Sequence, residues 1–341
     1  MLAALYAGNQ TFLLEQRPAR PPGPGEVRLD VAYVGICGTD LHIRHGAMDG
    51  RVAIPAVIGH EMSGTVAAAG EGVSRWSPGD RVTVMPLDWC GRCPACAAGH
   101  QHVCQNLVFV GIDSGGAMRR SWTVPERLLV RLPPGLGLRS GALAEPVAVA
   151  VHDVRRGAVA RGERVLVAGG GPIGLLIACV AAAEGADVMV SEPNRHRRSV
   201  AARLGFLAVD PSGGDLHATL DQWTGGAGVD AAFEVSGSVA GLQAATHALR
   251  VRGRLIVVAI HSQPVPVDLF RVFWRELELI GARVYERRDF ERAVALLADG
   301  AIPAGQLISA IEPLERTAEA FEALESGAGI VKVLIDCRAG P

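Results

Sequence analysis

Arg164-Val165-Leu166-Val167-Ala168-Gly169-Gly170-Gly171-Pro172-Ile173-Gly174 is the stretch that decides the fold of this chain. A run of buried-strand character meets a G-x-G-x-x-G hexamer, and an apolar stretch from Leu175 to Ala183 continues beyond it, so the glycines sit where a strand turns into a helix. The hexamer alone says little, because with 42 glycines in 341 residues about 0.6 such patterns arise by chance. Its context carries the reading. At a strand-to-helix turn, glycine lets the backbone approach a pyrophosphate, which the free N–H groups and dipole of the helix attract. A second strand-like run, Asp187-Val188-Met189-Val190-Ser191, ends in Glu192, placed to accept hydrogen bonds from the ribose hydroxyls of an adenosine. Further runs at Val229 to Val235 and Arg254 to Ile260 alternate with helical stretches, as a doubly wound parallel sheet requires.

Composition bounds the rest. A chain of 341 residues suits two domains, and 49% hydrophobic against 20% charged residues excludes disorder as the main state. A formal charge of −2 leaves no electrostatic footprint for nucleic acid or an anionic membrane. Of the 33 basic residues all but Lys332 are arginine, which excludes a Gly-Lys phosphate loop and argues against Schiff-base chemistry, since Lys332 sits in the apolar run Val331 to Ile335. Met1-Leu2-Ala3-Ala4-Leu5 lacks the basic start of a secretory leader, so a cytoplasmic location is expected. Val165 to Ala183 is uncharged and long enough to raise a membrane span, but its glycines and Pro172 favour a strand, turn and helix.

Four of the seven cysteines, Cys90, Cys93, Cys96 and Cys104, crowd one loop with Pro86, Gly91, Pro94 and Gly99. Such a cluster arises by chance on the order of 10⁻⁴ times in a chain of this composition. A disulfide framework suits neither the expected compartment nor the size, and an iron–sulfur run would carry a Pro after its last Cys where Gln105 stands. A closed tetrahedral Zn²⁺ site of structural type fits best. Cys179 and Cys337, in apolar runs, read as small buried hydrophobes. A second constellation is dispersed: Cys37 follows the alternating strand-like residues Val27, Leu29, Val31 and Tyr33, and Gly59-His60-Glu61 stands further on. Either residue alone is more often a core residue than a ligand, but thiolate, imidazole and carboxylate together are what a catalytic zinc takes, with one position left open.

Taken in order, Cys37-Gly38-Thr39-Asp40-Leu41-His42, Gly59-His60-Glu61, the four-cysteine loop, Ala144-Glu145-Pro146 and the dinucleotide turn resemble the zinc-dependent medium-chain alcohol dehydrogenase family, most closely its polyol, butanediol and threonine dehydrogenase branch. The resemblance spans essentially the whole chain. It implies an α/β architecture in which a GroES-like β catalytic domain, residues 1–141 with 279–341 returning to it, accompanies a Rossmann NAD-binding domain at 142–278. It further implies two Zn²⁺ per chain, one structural on the four cysteines and one catalytic on Cys37, His60 and Glu61, with Glu145 on the metal or hydrogen-bonded to its water. Thr39 and His42 match the family's proton relay. Gly169, Gly171, Pro172, Ile173 and Gly174 match the pyrophosphate turn, Glu192 and Arg197 the adenosine contacts, and Val258, Ala259 and Ile260 the backbone near the nicotinamide. Met118-Arg119-Arg120 departs from the family's pattern after Gly115-Gly116-Ala117, and nothing is carried over there.

The expected reaction is hydride transfer between NAD and a secondary alcohol with a neighbouring polar group: a polyol, a vicinal diol or a β-hydroxy amino acid. NAD is favoured over NADP because the Glu192 carboxylate would repel a 2′-phosphate, although Arg195 and Arg197 stand close by. The alternatives are an NADPH-dependent carbonyl reductase, a primary alcohol dehydrogenase and an inactive zinc- and dinucleotide-binding module. The partners expected are a small-molecule alcohol and, by the resemblance, further copies of the chain in a homodimer or homotetramer, with no nucleic acid and no membrane.

Overall fold

The computed structural model describes residues 1–213, 216–327 and 329–338. They form two compact units: one from Met1–Glu145, Glu286–Asp299 and the chain from Ile308 onward, the other from Pro146–Tyr285 and Gly300–Leu307.

The first unit is built on a mainly antiparallel sheet whose strands arrive from both ends of the chain, with one parallel pair at its C-terminal edge. Glu26–Gly35 (β1), Glu61–Ala69 (β2), Arg81–Val84 (β3), Ser121–Pro125 (β4) and Leu129–Arg131 (β5) come from the N-terminal part. In β1 the alternation of Val27, Leu29 and Val31 puts one side chain in two into the core, where they are buried with Val66, Val82 and Val84. The short helix Gly38–Arg44 (α1) follows β1 directly.

The chain then lays down the second unit's sheet: Arg164–Ala168 (β6), Asp187–Ser191 (β7), Leu207–Val209 (β8), Val229–Glu234 (β9), Leu249–Val257 (β10) and Glu278–Gly281 (β11). All pairs are parallel, in the order β8-β7-β6-β9-β10-β11, the doubly wound order of dinucleotide-binding sheets. Pro172–Ala183 (α2) crosses from β6 to β7, and the residues from Gly174 to Ala181 are all buried. That explains the uncharged stretch: a fully covered parallel strand followed by a helix buried from Gly174 to Ala181 leaves little solvent face to colour. No helix among the described residues is long and apolar enough to cross a membrane. Arg195–Arg203 (α3) follows β7, and Leu269–Arg275 (α4) precedes the edge strand β11.

Ile308–Pro313 (β12) and Lys332–Asp336 (β13) return to the first sheet and complete the order β12-β13-β1-β2-β3-β5, with β4 also on β1. Leu334 thereby stands opposite Gly35, and Gly35 opposite Glu61. The last strand reaches the beginning of the candidate site.

Candidate active site and metal centres

Cys37, His60 and Glu61 are brought together by the ends of two neighbouring strands. β1 ends at Gly35 and Cys37 caps the N-terminus of α1, while β2 opens with Glu61. One ligand atom of each residue lies within 4.8 Å of the others. Gly59 makes this geometry possible: its φ is +97°, and a Cβ there would come within 2.9 Å of Val34 and Met118. His60 and Glu61 are almost wholly buried, at 2% and 1% exposure.

The electrostatics of the pocket call for a cation. Asp40, Glu61 and Glu145 are three buried carboxylates beside one buried ammonium, that of Lys332. Burial pulls the His60 imidazole down, but the Asp40 carboxylate, the Cys37 thiol and Glu145 outweigh it and raise it to about 10. His60 Nδ1 is buried without a hydrogen-bond partner, at 3.6 Å from Asp40 Oδ1. Asp40 also accepts the Cys37 N–H at 2.9 Å, so one carboxylate fixes the turn that presents the thiol and faces the imidazole that must stay oriented. A soft thiolate, an imidazole and a carboxylate in a pocket of excess negative charge could hold Zn²⁺.

Glu145 stands in the first turn of the helix Ala144–Arg156, 4% exposed. It is not one of the three residues within 4.8 Å, yet its charge acts on both His60 and Lys332. Thr39, half-buried, and His42, exposed, lie one turn apart on α1 and so share a face.

Three residues here escaped the sequence analysis. Asp40 was quoted only as part of a motif. Gly35 leaves the space that the Glu61 carboxylate occupies. Lys332, read there as one residue of an apolar strand, points its Nζ at Ile36 O, 2.9 Å away, and makes an ion pair with Glu61. Its signal was present in the composition, as the single lysine among 33 basic residues.

The four-cysteine loop closes on itself. Cys93 caps the short helix Pro94–Ala97 and its sulfur accepts the Cys96 N–H at 3.5 Å; Cys104 Sγ accepts from Cys90 N and Asn106 N at 3.4 and 3.3 Å. The sulfurs of Cys93 and Cys90 stand 3.7 and 3.5 Å from that of Cys104. A regular tetrahedron with Zn–S of about 2.3 Å has edges of about 3.8 Å, so the spacing suits one zinc and is far too long for a disulfide bond. Backbone and Asn106 donors pull the Cys90 thiol down to about 6, whereas burial and the neighbouring sulfurs push Cys96 up to about 12. That mutual repulsion is what a central dication relieves.

In the second unit the glycine turn has the form a pyrophosphate needs. Gly169 has φ +115°, Gly171 caps α2, and Pro172 and Ile173 open the helix. A Cβ on Gly174 would overlap the Gly169 carbonyl oxygen. Glu192 is buried, with Oε2 accepting the Gly170 N–H and Oε1 the Asn194 N–H, both at 2.7 Å. Its carboxylate therefore braces the turn. Arg197, at the start of α3, lies beside Gly171 and has no ion pair among the described residues. Val258 and Ala259 bond back to Glu234 O just past the end of β10, which stops at Val257 and so short of the expected run to Ile260, and Ile260 is exposed.

Comparison with known proteins finds a family match in each part of the chain. An alcohol dehydrogenase GroES-like domain matches residues 23–134, and a zinc-binding dehydrogenase domain matches residues 172–299. Over 339 residues, 99% of both chains, the sequence is 52% identical to 2-dehydro-3-deoxy-L-galactonate 5-dehydrogenase of Pseudoalteromonas atlantica. The chain belongs to the zinc-dependent medium-chain alcohol dehydrogenase family. Among solved members, 2R,3R-butanediol dehydrogenase of Bacillus subtilis superposes with a TM-score of 0.91 at 31% identity, covering 98% of this chain and 99% of that one. A Sinorhizobium meliloti protein solved with NADP gives 0.92 at 30% identity, with 98% of each chain covered. This family member is thus an alcohol or polyol dehydrogenase that uses zinc and a nicotinamide dinucleotide.

Proposed function

We propose that this dehydrogenase oxidises the secondary hydroxyl of a sugar acid or related polyol, at a carbon flanked by further hydroxyls, with NAD as acceptor. The observation that carries this reading is the 52% identity, over the whole of both chains, to an enzyme named for acting at position 5 of a deoxy sugar acid. The site chemistry agrees with it. Cys37, His60 and Glu61 hold one zinc, with Asp40 orienting the imidazole; Cys90, Cys93, Cys96 and Cys104 hold a second whose four thiolates leave no place for substrate. When bound, the first zinc supplies Lewis acidity and the nicotinamide supplies the hydride acceptor. The Thr39 hydroxyl accepts the carbinol proton while releasing its own towards His42, exposed one turn along α1, which passes it to solvent. Glu145 is a buried carboxylate whose charge acts on His60 and Lys332, which favours a substrate that carries a polar group beside the reacting carbon.

The second unit, expected at 142–278, is the dinucleotide-binding half. Glu192 favours NAD by receiving ribose hydroxyls where a 2′-phosphate would meet its charge. A second copy of the chain covers the open edge of that sheet. Among the described residues β11 has a neighbour on one side only, and before it α4 exposes Leu269, Phe270, Phe273 and Trp274, the last 71% exposed and stacked on Phe270.

Comparing kcat/KM for 2-dehydro-3-deoxy-L-galactonate, a hexitol, 2,3-butanediol, threonine, ethanol and benzyl alcohol tests the substrate class. The sugar acid is expected to lead, followed by the polyol and diol. A simple primary alcohol as best substrate overturns the reading.

A further inference from the structure

Lys332 is the only lysine in the chain, and it is 4% exposed. Its ammonium has two partners among the described residues: Ile36 O at 2.9 Å and, as an ion pair, Glu61 Oε2. The arrangement is built by three adjacent strands. β13, β1 and β2 run side by side, with Leu334 opposite Gly35 and Gly35 opposite Glu61. A Cβ on Gly35 would overlap Glu61 Oε2 and lie 3.0 Å from Lys332 Cε, so the absent side chain is the space in which the pair meets.

A buried ion pair is weak ground for stability, because desolvating both charges offsets most of their attraction. Its position points to another role. The Glu61 carboxylate shares its charge with the ammonium while lying within 4.8 Å of the Cys37 and His60 ligand atoms. An ammonium in the same dry pocket opposes a dication and makes the shared carboxylate a weaker ligand for it.

We infer that Lys332 is a positioning residue for the metal site, whose ammonium keeps Glu61 a detachable ligand rather than a permanent one. The inference rests on the reading that Cys37, His60 and Glu61 hold zinc. Loss of the ammonium leaves the carboxylate with the dication as its one compensating charge, so the metal is held more tightly and turnover falls. A purely structural lysine predicts the opposite sign, a looser metal.

Chelator-driven zinc release, followed with a metal indicator, decides between them, together with the visible absorption of the cobalt-substituted enzyme. The expectation is at least tenfold slower release from Lys332→Met at the site that Cys37→Ser empties, weaker cobalt bands from added coordination, and lower kcat. Lys332→Arg keeps the charge and stays within threefold of wild type. In a Glu61→Gln background, Lys332→Met changes release less than twofold. Release from Lys332→Met that is equal or faster, or Lys332→Arg behaving like Lys332→Met, overturns the inference. If Cys37→Ser retains both zinc ions, the reading of the site fails instead. Should Lys332→Met not fold, the wild type supplies the measurement: with ¹⁵N-lysine labelling the chain gives one lysine ammonium resonance, which must move when zinc is removed. An unmoved resonance overturns the inference equally.

Discussion

Gly174→Ala tests whether the glycine turn is held by close backbone contact. The added Cβ overlaps the Gly169 carbonyl oxygen and sits 3.3 Å from Val167 Cγ1. Neither neighbour is the free end of a flexible side chain: the first is backbone held at φ +115°, the second a buried strand residue. Restoring an ordinary contact therefore requires the turn and the first turn of α2 to part by about 1 Å or more in a close-packed interior. Overpacking of this kind costs about 1–3 kcal/mol, and a clash with backbone belongs at the upper end. At about 3 kcal/mol the folded-to-unfolded ratio falls roughly 150-fold, visible as a lower urea midpoint with an unchanged slope. The same opening moves the Gly170 N–H away from Glu192, so the affinity for NADH, read by nicotinamide fluorescence, falls at least tenfold. A variant with the wild-type midpoint and NADH affinity within twofold refutes the argument.

Metal analysis of the wild type is expected to return two zinc ions per chain; Cys37→Ser loses one ion and turnover while staying folded, and Cys93→Ser loses the other and lowers thermal stability, because a closed site binds its metal as part of folding. kcat/KM is expected to be at least tenfold higher with NAD than with NADP, and Glu192→Ala narrows that gap by leaving Arg197 beside an uncharged position. Asp230 is raised by burial but lowered more by Arg250 at 2.6 Å and the Arg164 N–H, so its folded value lies below the unfolded value of 3.8. Its stabilisation is therefore present above about pH 4 and lost as pH falls through the folded value: Asp230→Asn costs about 1 kcal/mol in urea unfolding at pH 6, and the difference shrinks towards pH 3. Phe273→Asp, placing a charge on the exposed face of α4, is expected to shift the oligomer towards monomer in sedimentation velocity without changing zinc content.

The legible parts of the molecule were those written locally. Alternation in Val27, Leu29 and Val31 marks β1, and the run from Arg164 to Gly174 marks a strand, turn and helix, because each depends on residues adjacent in sequence. Clustered cysteines likewise announce themselves by spacing. What was hidden depends on strand order. Lys332 looks like a strand residue until β13 is known to lie beside β1, and Gly35 like any strand glycine until β2 and β13 flank it. The extent of β10 differs from the expected run for a related reason: Leu249 pairs with Val229 across an irregularity in the ladder, which resumes at Arg254, while Val258 to Ile260, equally apolar, lie past the end of β9.

The return of β13 to the first sheet also sets a schedule for biosynthesis. Glu61 leaves the ribosome early, whereas Lys332 follows it 271 positions later, after the whole parallel sheet has been made. At about 5–20 residues per second the interval lasts roughly 15–50 s. Throughout it the Glu61 carboxylate has neither its ammonium nor the strand opposite Gly35, so the ion pair that meets over Gly35 cannot form. Closure waits for the last strand.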